Sequence, residues 1–561
     1  MKFPILRKKK KVVKIHNTKL TDYYSWVHQN NILEVLTNPE KLNREVRNYL
    51  EKENNYTDFY FKDTKKIQKT IFHEIKSKIM LADKSVPFKD KRYSYWTKTT
   101  EKANYSIHLR KNHKSKKQEI IWNGDKEKLK YNASYFGIGD LSVSHNDKML
   151  GFSLDLKGSE SYSIYIRNLN TKVDYEKVIK NTNGQIVFTY DSKCFFYTEL
   201  DKTHRSKKIY LHMINGKQQK DKLIYHEKID RFSVKISTTT DEKFYIISTG
   251  DHSTNKCYYL KRSLTSLKPK IFKDFKENIS YSLDSWQGFF YIHTNENAQN
   301  FKVIKAPHQN LLDLKTVISS KKNTIIGIPL LLKDWLIWTE KENAAYKIFV
   351  KNIKKNLTKE LDFFKNDVKQ VSCSYYEKNM KSDLIYLSYS TPISTHKTLL
   401  YNLKTGKYKL VKEQIIPSGY DEKKYILERS FVPSHDNKKI PITIIRHKNT
   451  KVNSKAKVLL YGYGSYGSSL GNGFSVNKIP LLDRGIIWVN AHIRGGMECG
   501  MNWWKEGKML NKKNTFEDYL SCARFLIKNK YTKSGRIIGM GGSAGGLLMG
   551  SVLNKAPQLF L

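Results

Sequence analysis

The chain has 561 residues, too long for one ordinary domain, and its 39% apolar and 12% aromatic content is enough for two or three folded cores. This composition excludes a disordered protein, and no apolar run is long enough to predict a transmembrane helix. The net charge is +48, but only 15 of the 101 basic residues are arginine, and the lysines are spread along the whole chain. Because arginine supplies most bidentate contacts to bases and phosphates, we interpret the charge as compositional bias and expect no nucleic-acid partner.

The N-terminus and the cysteines give no indication of secretion. Residues 1–11 lack the apolar core and cleavage site of a signal peptide. The five cysteines lie far apart and form no C-x-x-C pair, which is typical of reduced, structural thiols. No ligand cluster, P-loop or dinucleotide fingerprint is visible, so the sequence predicts neither a metal nor a cofactor. We therefore expect a cytoplasmic protein with no membrane partner.

Residues 1–75 are predicted to be extended and then helical. Asn38-Pro39-Glu40 has the features of a helix start, namely a capping side chain, a proline at the first helical position and an acidic residue behind it. Apolar residues at helical spacing then predict one helix over 39–53 and a second near 67–79.

Residues 76–415 have the texture of short strands separated by polar turns. Seven strand pairs recur, and their first strands begin near Tyr93, Leu150, Phe195, Phe244, Phe289, Trp335 and Leu384. The spacings are 57, 45, 49, 45, 46 and 49 residues. This period predicts a seven-bladed β-propeller with four strands per blade, whose aromatic residues pack between blades. A large β-sandwich with coincidental spacing is the alternative.

Residues 416–561 alternate strands and helices in the manner of an α/β domain with a parallel sheet. Apolar strands are predicted at 458–461, 486–493 and 536–540, with the last strand in the middle of the sheet. Residues 514–518 (N-T-F-E-D) are predicted to start a helix, since their side chains can cap it and place acids in its first turn. We expect residues 1–75 to pack against this domain.

A G-x-S-x-G motif, residues 541–545, lies between the last strand and an apolar helix near 547–553. In a nucleophile elbow such glycines let the chain turn sharply and expose the serine at a helix N-terminus. The motif therefore predicts Ser543 as a nucleophile and the backbone N–H of Ala544 as an oxyanion donor. A glycine-rich turn without chemistry is the alternative.

The other parts of a catalytic serine site are less complete. Gly462-Tyr463-Gly464 follows an earlier strand and would let the Tyr463 hydroxyl reach the oxyanion, but a tyrosine-rich packing loop explains these residues equally well. A serine nucleophile also needs a base and a group that orients the base. The 18 residues after Ser543 contain no Asp, Glu or His, and His492 is predicted to be a core or loop histidine.

Four segments strongly resemble the prolyl oligopeptidase family of serine peptidases. They are residues 461–467 (YGYGSYG), 491–496 (AHIRGG), 512–519 (KKNTFEDY) and 541–546 (GGSAGG). Residues 22–26 and 49–54 are similar to the family's opening segment, so the resemblance covers essentially the whole chain. Ala544 and His492 look more like oligopeptidase B than like prolyl oligopeptidase, which usually has Asn at both places.

The resemblance implies an α/β-hydrolase domain with a seven-bladed propeller over its active site, and hydrolysis of short peptides while folded proteins are excluded. It implies Ser543 as the nucleophile, Tyr463 and the N–H of Ala544 as oxyanion donors, and Tyr466 as an aromatic residue beside the substrate pocket. An enzyme like oligopeptidase B would cut after Arg or Lys.

The sequence departs from the family after the nucleophile. The family's triad Asp and His, and the acidic residues that select Arg or Lys, would follow Leu561, so the hydrolase domain is expected to be C-terminally incomplete. A fragment, one part of a split gene and a truncated product remain open. We expect the chain as given to be essentially inactive, with an uncovered sheet edge. The alternatives are a prolyl oligopeptidase-type, acylaminoacyl or dipeptidyl peptidase, or a propeller binding module without catalysis. The oligomeric state is not predicted.

Overall fold

The computed structural model of the chain describes residues 1–362, 368–378 and 382–561. Its N-terminal part is an exposed hairpin followed by helices. These elements are β1 (Lys11–Ile15), β2 (Thr18–Asp22), α1 (Ile32–Thr37), α2 (Arg44–Tyr60) and α3 (Lys65–Ser77). Within the described ranges, no helix is both long enough and apolar enough to cross a membrane.

Helix α2 differs at both ends from the helix predicted over residues 39–53. It begins at Arg44, because Asn43 is the capping residue and its side-chain oxygen accepts two first-turn amides at 2.9 and 3.3 Å. Asn38 caps only a single 3₁₀ turn that starts at Pro39. The helix then continues to Tyr60.

The middle of the chain consists of antiparallel sheets. Its elements are β3 (Phe88–Asp90), β4 (Tyr93–Lys98), β5 (Ile107–Asn112), β6 (Gln118–Asn123), α4 (Gly124–Tyr131), β7 (Gly137–Val143), β8 (Met149–Asp155), β9 (Tyr162–Asn168), β10 (Ile179–Thr182), β11 (Val187–Phe188), β12 (Cys194–Leu200), β13 (Ser206–Met213), β14 (Lys222–His226), β15 (Ser233–Thr238), β16 (Phe244–Gly250), β17 (Asn255–Lys261), β18 (Lys270–Lys273), β19 (Tyr281–Trp286), β20 (Phe289–Thr294), β21 (Lys302–Pro307), β22 (Lys315–Ile318), β23 (Thr324–Ile326), β24 (Leu330–Leu332), β25 (Trp335–Glu342), β26 (Ala345–Asn352), β27 (Leu357–Glu360), β28 (Gln370–Tyr375), β29 (Leu384–Ser390), β30 (Lys397–Asn402) and β31 (Tyr408–Glu413).

The prediction of seven separate blades is wrong. In the described residues five sheets have the size of a blade, with four strands in four of them and five strands in the sheet β23–β27, while β7–β14 form one continuous eight-stranded sheet. The two halves of that sheet join where Thr182 of β10 pairs with Glu199 of β12. The backbone is irregular there, since Asn181 has φ 59° and the register of β10 on β9 shifts. Sequence spacing locates strand pairs but does not show which sheet edges are hydrogen-bonded.

Aromatic side chains pack between neighbouring sheets, as predicted. The ring centroids of Phe196 in β12 and Tyr245 in β16 are 4.9 Å apart, and those of Phe244 in β16 and Phe290 in β20 are 4.8 Å apart. These buried rings contribute much of the apolar area that holds the sheets together.

The C-terminal part is an α/β domain. Its elements are β32 (Tyr425–Pro433), β33 (Lys439–His447), β34 (Val458–Tyr461), α5 (Ile479–Asp483), β35 (Ile487–Ala491), α6 (Met501–Lys505), α7 (Lys513–Lys528), β36 (Ile537–Met540) and α8 (Ala544–Lys555). The sheet order is β32-β33-β35-β34-β36, and the last three strands are parallel, as predicted.

In the described residues strand β36 lies at the end of this sheet, which is the uncovered edge expected for the chain as given. Within the described residues, its outer side carries a single parallel bridge between Ile537 and Phe560, and the N–H of Leu561 donates to the carbonyl of Ile537 at 2.9 Å. An edge of this kind leaves backbone N–H and C=O groups available to another strand.

The core of this domain explains why its strands form. The central strands are continuous apolar runs that are buried on both faces, as is usual for parallel sheets covered by helices. Helices α7 and α8 contribute further buried side chains to the same cluster, including Leu520, Ala523, Leu526, Leu548 and Val552.

The N-terminal helices contact this domain through α3. The carboxylate of Glu74 accepts two hydrogen bonds from the Arg484 guanidinium, at 2.7 and 2.8 Å. This is the kind of contact expected if residues 1–75 pack on the C-terminal domain.

Candidate active site

Ser543 occupies a strained turn between β36 and α8. Its backbone has φ 54° and ψ −119°, a conformation that costs a non-glycine residue on the order of 1–3 kcal/mol. A side chain at Gly541 would place its Cβ 2.5 Å from the carbonyl oxygen of Gly545, so this position requires glycine. The same construction at Gly542 meets nothing within 4 Å, so only part of the glycine run is needed for packing.

The serine hydroxyl is exposed at the N-terminus of α8. Its oxygen makes no hydrogen bond to any described residue, and the N–H of Ala544, the first residue of α8, has no acceptor there either. The turn is closed by the N–H of Gly546, which donates to the carbonyl of Ser543 at 2.8 Å. A free N–H beside an exposed hydroxyl is suited to binding an oxyanion that develops on an attacked carbonyl.

Residues 462–467, which we name the Tyr463 loop, lie beside this turn. Strands β34 and β36 are parallel neighbours, and the N–H of Gly462 donates to the carbonyl of Met540 at 3.1 Å. A Cβ built on Gly545 would be 3.6 Å from a ring carbon of Tyr463. The structure therefore brings half-buried Tyr463 next to the serine turn.

Tyr466 lies at the boundary between the two domains. It is 61% exposed and has φ 56°. Its ring centroid is 5.3 Å from that of His252, which lies between β16 and β17 in the antiparallel sheets of the middle of the chain. An exposed aromatic ring at such a boundary is available to a peptide side chain.

Lys512, just before α7, holds the Tyr463 loop. Its ammonium donates to the carbonyl of Gly464 and to the hydroxyl of Ser465, the latter at 2.8 Å. Burial lowers the pKa of Lys512 to about 8. This lysine was not singled out as a site residue from the sequence, because only the fold brings it to the loop.

Arg494 anchors the segment after β35. Its guanidinium donates to Asp518 of α7, at 2.9 Å from Nε and 2.6 Å from Nη2, and to Asp436 at 2.6 Å from Nη1. Burial opposes ionisation of Asp436, but the hydrogen bonds from Arg494 outweigh it and hold the pKa of that carboxyl below its ordinary value. Charge-assisted, bidentate pairs of this kind fix geometry as well as charge.

His492 lies in the core, as predicted. It is fully buried, and its Nε2 is 3.0 Å from the hydroxyl oxygen of Thr443 in β33. The indole N–H of Trp503 donates to its carbonyl at 3.0 Å. These contacts belong to the packing of the sheet and of helix α6.

Comparison with protein families gives two matches. Residues 4–414 match the model described as the prolyl oligopeptidase N-terminal β-propeller domain, and residues 472–561 match the prolyl oligopeptidase family model.

Comparison with individual proteins finds relatives that are also peptidases by name. The chain is 31% identical to dipeptidyl aminopeptidase BI of Pseudoxanthomonas mexicana, covering 99% of this chain and 78% of that protein. It is 26% identical to protease 2 of Moraxella lacunata, covering 100% of this chain and 80% of that protein.

Among solved structures, oligopeptidase B from Trypanosoma brucei with covalently bound antipain superposes with a TM-score of 0.92 at 25% identity, covering 100% of this chain and 81% of that one. Oligopeptidase B from Leishmania major has the same fold, with a TM-score of 0.92, 24% identity and the same coverage of both chains. The chain therefore belongs to the prolyl oligopeptidase family of serine peptidases.

Proposed function

We propose that the protein is a serine oligopeptidase in which Ser543 forms an acyl-enzyme with short peptides. The observation that carries this proposal is the strained backbone of Ser543, which presents an exposed hydroxyl beside the free N–H of Ala544. Tyr463 would supply the second oxyanion donor from the adjacent loop, and Tyr466 would contact the peptide. Strain at a site that the surrounding structure over-determines is typical of catalytic turns.

The proposed reaction needs a proton acceptor. As the Ser543 oxygen bonds to the peptide carbonyl carbon, its proton must pass to a base, which later gives it to the departing amine. The described residues place no histidine within hydrogen-bond distance of that hydroxyl.

We therefore expect the 561-residue polypeptide by itself to be essentially inactive. Loss of the base lowers kcat on the order of a million-fold in a well-studied serine protease. Hydrolysis of an N-blocked Arg or Lys ester by the purified polypeptide, compared with its Ser543→Ala variant, measures this. A rate well above that of the variant would contradict the expectation.

We propose cleavage after Arg or Lys as the specificity. The sequence supports it through Ala544 and His492, which resemble oligopeptidase B, and one similar solved structure is oligopeptidase B with covalently bound antipain at 25% identity. The similarity to dipeptidyl aminopeptidase BI at 31% identity favours a second candidate, release of dipeptides from a free N-terminus.

Two sets of substrates separate these candidates in protein isolated from its source cells. N-blocked dipeptide amides ending in Arg, Lys or Pro report endopeptidase specificity. The same dipeptide amides with a free amino group report dipeptidyl release. The first candidate predicts that blocked Arg and Lys substrates are cut and blocked Pro substrates are not. Cleavage confined to substrates with a free amino group would support the second candidate and contradict the first.

The other sequence-based expectations remain predictions. They are the cytoplasmic location, the absence of a nucleic-acid partner and the domain boundaries near residues 75 and 415. The alternative of a propeller binding module without catalysis predicts no reaction of Ser543 in the native protein.

A further inference from the structure

We propose that Glu498 and Asn472 are positioning residues that couple the docking of one propeller turn to the Tyr463 loop. The inference rests on the proposed function, because it concerns the loop that would hold an oxyanion donor. The coupling runs from the propeller through a buried polar chain to the segment after β35, and from there to the loop.

The propeller turn is formed by Asn343 and Ala344, between β25 and β26. Both residues have positive φ, 49° and 64°, so the turn is tight, and Ala344 is buried. The C-terminal domain binds both backbone groups of Ala344. Its N–H donates to the carbonyl of Glu498 at 3.0 Å, and its carbonyl accepts from the side-chain amide of Asn472 at 2.8 Å.

Asn472 and Glu498 are also linked inside the C-terminal domain. The hydroxyl of Thr443 donates to the side-chain oxygen of Asn472 at 3.3 Å and lies 3.0 Å from Nε2 of His492. On the other side of the imidazole, Nδ1 lies against a carboxylate oxygen of Glu498 at 3.7 Å, a close polar contact without a hydrogen bond. All four side chains belong to residues at most 2% exposed, so solvent does not weaken these polar contacts.

The carboxylate of Glu498 reaches the segment that supports the loop. One oxygen accepts the N–H of Leu470 at 2.9 Å, and the other would be 2.0 Å from a Cβ at Gly496. Gly496 forms a parallel bridge with Gly467, whose N–H donates to the carbonyl of Gly495 at 2.9 Å.

The opposite end of the loop is packed just as closely against the same segment. A Cβ at Gly495 would be 1.8 Å from the carbonyl oxygen of Gly464. Both ends of the loop therefore depend on the position of residues 495–496.

A second contact from the propeller reaches the same region. The ammonium of Lys341 in β25 donates to the hydroxyl of Ser469. Burial lowers the pKa of Lys341, and attraction to Glu498 opposes part of that change. When the propeller turn moves away, the C-terminal domain loses the bonds to Ala344 and this cation together.

Hydrogen exchange followed by mass spectrometry tests the coupling on the full 561-residue chain. Glu498→Gln keeps the size of the side chain and removes its charge, and Asn472→Asp removes the amide that binds Ala344. The matched control is Asn300→Ala, which breaks a different contact between the domains, the bond from the N–H of Met501 to Asn300 at 2.8 Å.

We expect both variants to accelerate amide exchange at least about tenfold in residues 341–346 and also in residues 461–468, with the control leaving 461–468 unchanged. Faster exchange at 341–346 alone would overturn the coupling. Equal acceleration of 461–468 in the control would also overturn it, because general domain opening would then explain the effect. If Glu498→Gln does not fold, Asn472→Asp decides. Exchange is read without catalysis, so a failure of this proposal is distinguishable from a failure of Ser543 as the nucleophile.

Discussion

Arg494 is a fully buried cation that joins three segments of the C-terminal domain. Its partner Asp518 is also fully buried, and Asp436 completes the pairing. Removing Asp518 leaves Arg494 with the partly exposed Asp436 as its close partner, and breaking a buried ion pair costs about 3–5 kcal/mol. We expect Asp518→Asn to lower the free energy of unfolding of this domain by about 3 kcal/mol, measured by urea unfolding.

The neighbouring acid provides the control for this experiment. Glu517 pairs with Lys555 at the surface, where their side chains are 27% and 43% exposed. Surface pairs contribute little, so Glu517→Gln should change stability by less than about 1 kcal/mol. Equal losses in the two variants would show that the Arg494 cluster has no special role in stability.

Lys478 gives a pH-dependent prediction. It is 8% exposed, its ammonium lies 5.2 Å from the ring centroid of Trp488, and burial lowers its pKa to about 8. The unfolded chain keeps the ordinary pKa, 10.5, so between these values it binds more protons than the folded chain. Burial of Lys478 therefore lowers the free energy of unfolding by a constant amount below pH about 8, and this penalty disappears as the pH rises through the window.

Lys478→Met isolates this contribution, because other titrating groups are common to both proteins. We expect the variant to be the more stable protein below pH about 8, and its advantage to shrink as the pH approaches about 10. Urea unfolding of both proteins across this range measures the difference. A difference independent of pH would contradict the assignment.

At the scale of elements, the serine turn allows a comparison of two glycines. Gly541→Ala would force a Cβ to within 2.5 Å of a backbone carbonyl, whereas Gly546→Ala meets nothing within 4 Å inside a helix. Alanine is favoured over glycine in helices by about 1 kcal/mol. We expect Gly541→Ala to lower the thermal midpoint and Gly546→Ala to leave it unchanged or raise it. A similar fall in both would mean that the turn is not constrained as described.

Element boundaries were predictable where the signal is local. Strand β34 has the predicted bounds, 458–461, because a strand buried on both faces is a continuous apolar run. Helix α2 was misplaced because Asn38 and Asn43 are both followed two residues later by Glu, so two cap signals compete within one short stretch.

The start of α7 shows how tertiary contacts override a local cap signal. Asn514 donates to the carbonyl of Glu506, Thr515 donates to that of Arg494, and Asp518 binds Arg494, so none of these side chains caps the helix. Their partners lie in other segments and could not be assigned from the sequence.

At the scale of the whole molecule, the repeat in the sequence located strand pairs but not sheets. The aromatic anchors coincide with antiparallel pairs such as β16–β17 and β20–β21. The eight-stranded sheet depends on one contact between β10 and β12, which a spacing of hydrophobic residues does not encode.

The residues of the candidate site also differ in whether the sequence alone identifies them. Ser543 and Ala544 are predicted because the elbow is one short motif, and Tyr463 is predicted because it lies between two glycines after an earlier strand. The structure adds that this strand, β34, pairs with β36. Lys512, Asn472 and Glu498 were not predicted as site residues, since their roles arise from contacts between segments far apart in the chain.

The central claim is that Ser543 is a nucleophile, and covalent labelling tests it most directly. Native cell extract is treated with a serine-reactive fluorophosphonate probe, and the tryptic peptide 537–555, which holds both Ser543 and Ser551, is analysed by fragmentation. We predict a modification on Ser543 and none on Ser551. An unmodified peptide from detectable protein, in an extract where other serine hydrolases are labelled, would contradict the assignment.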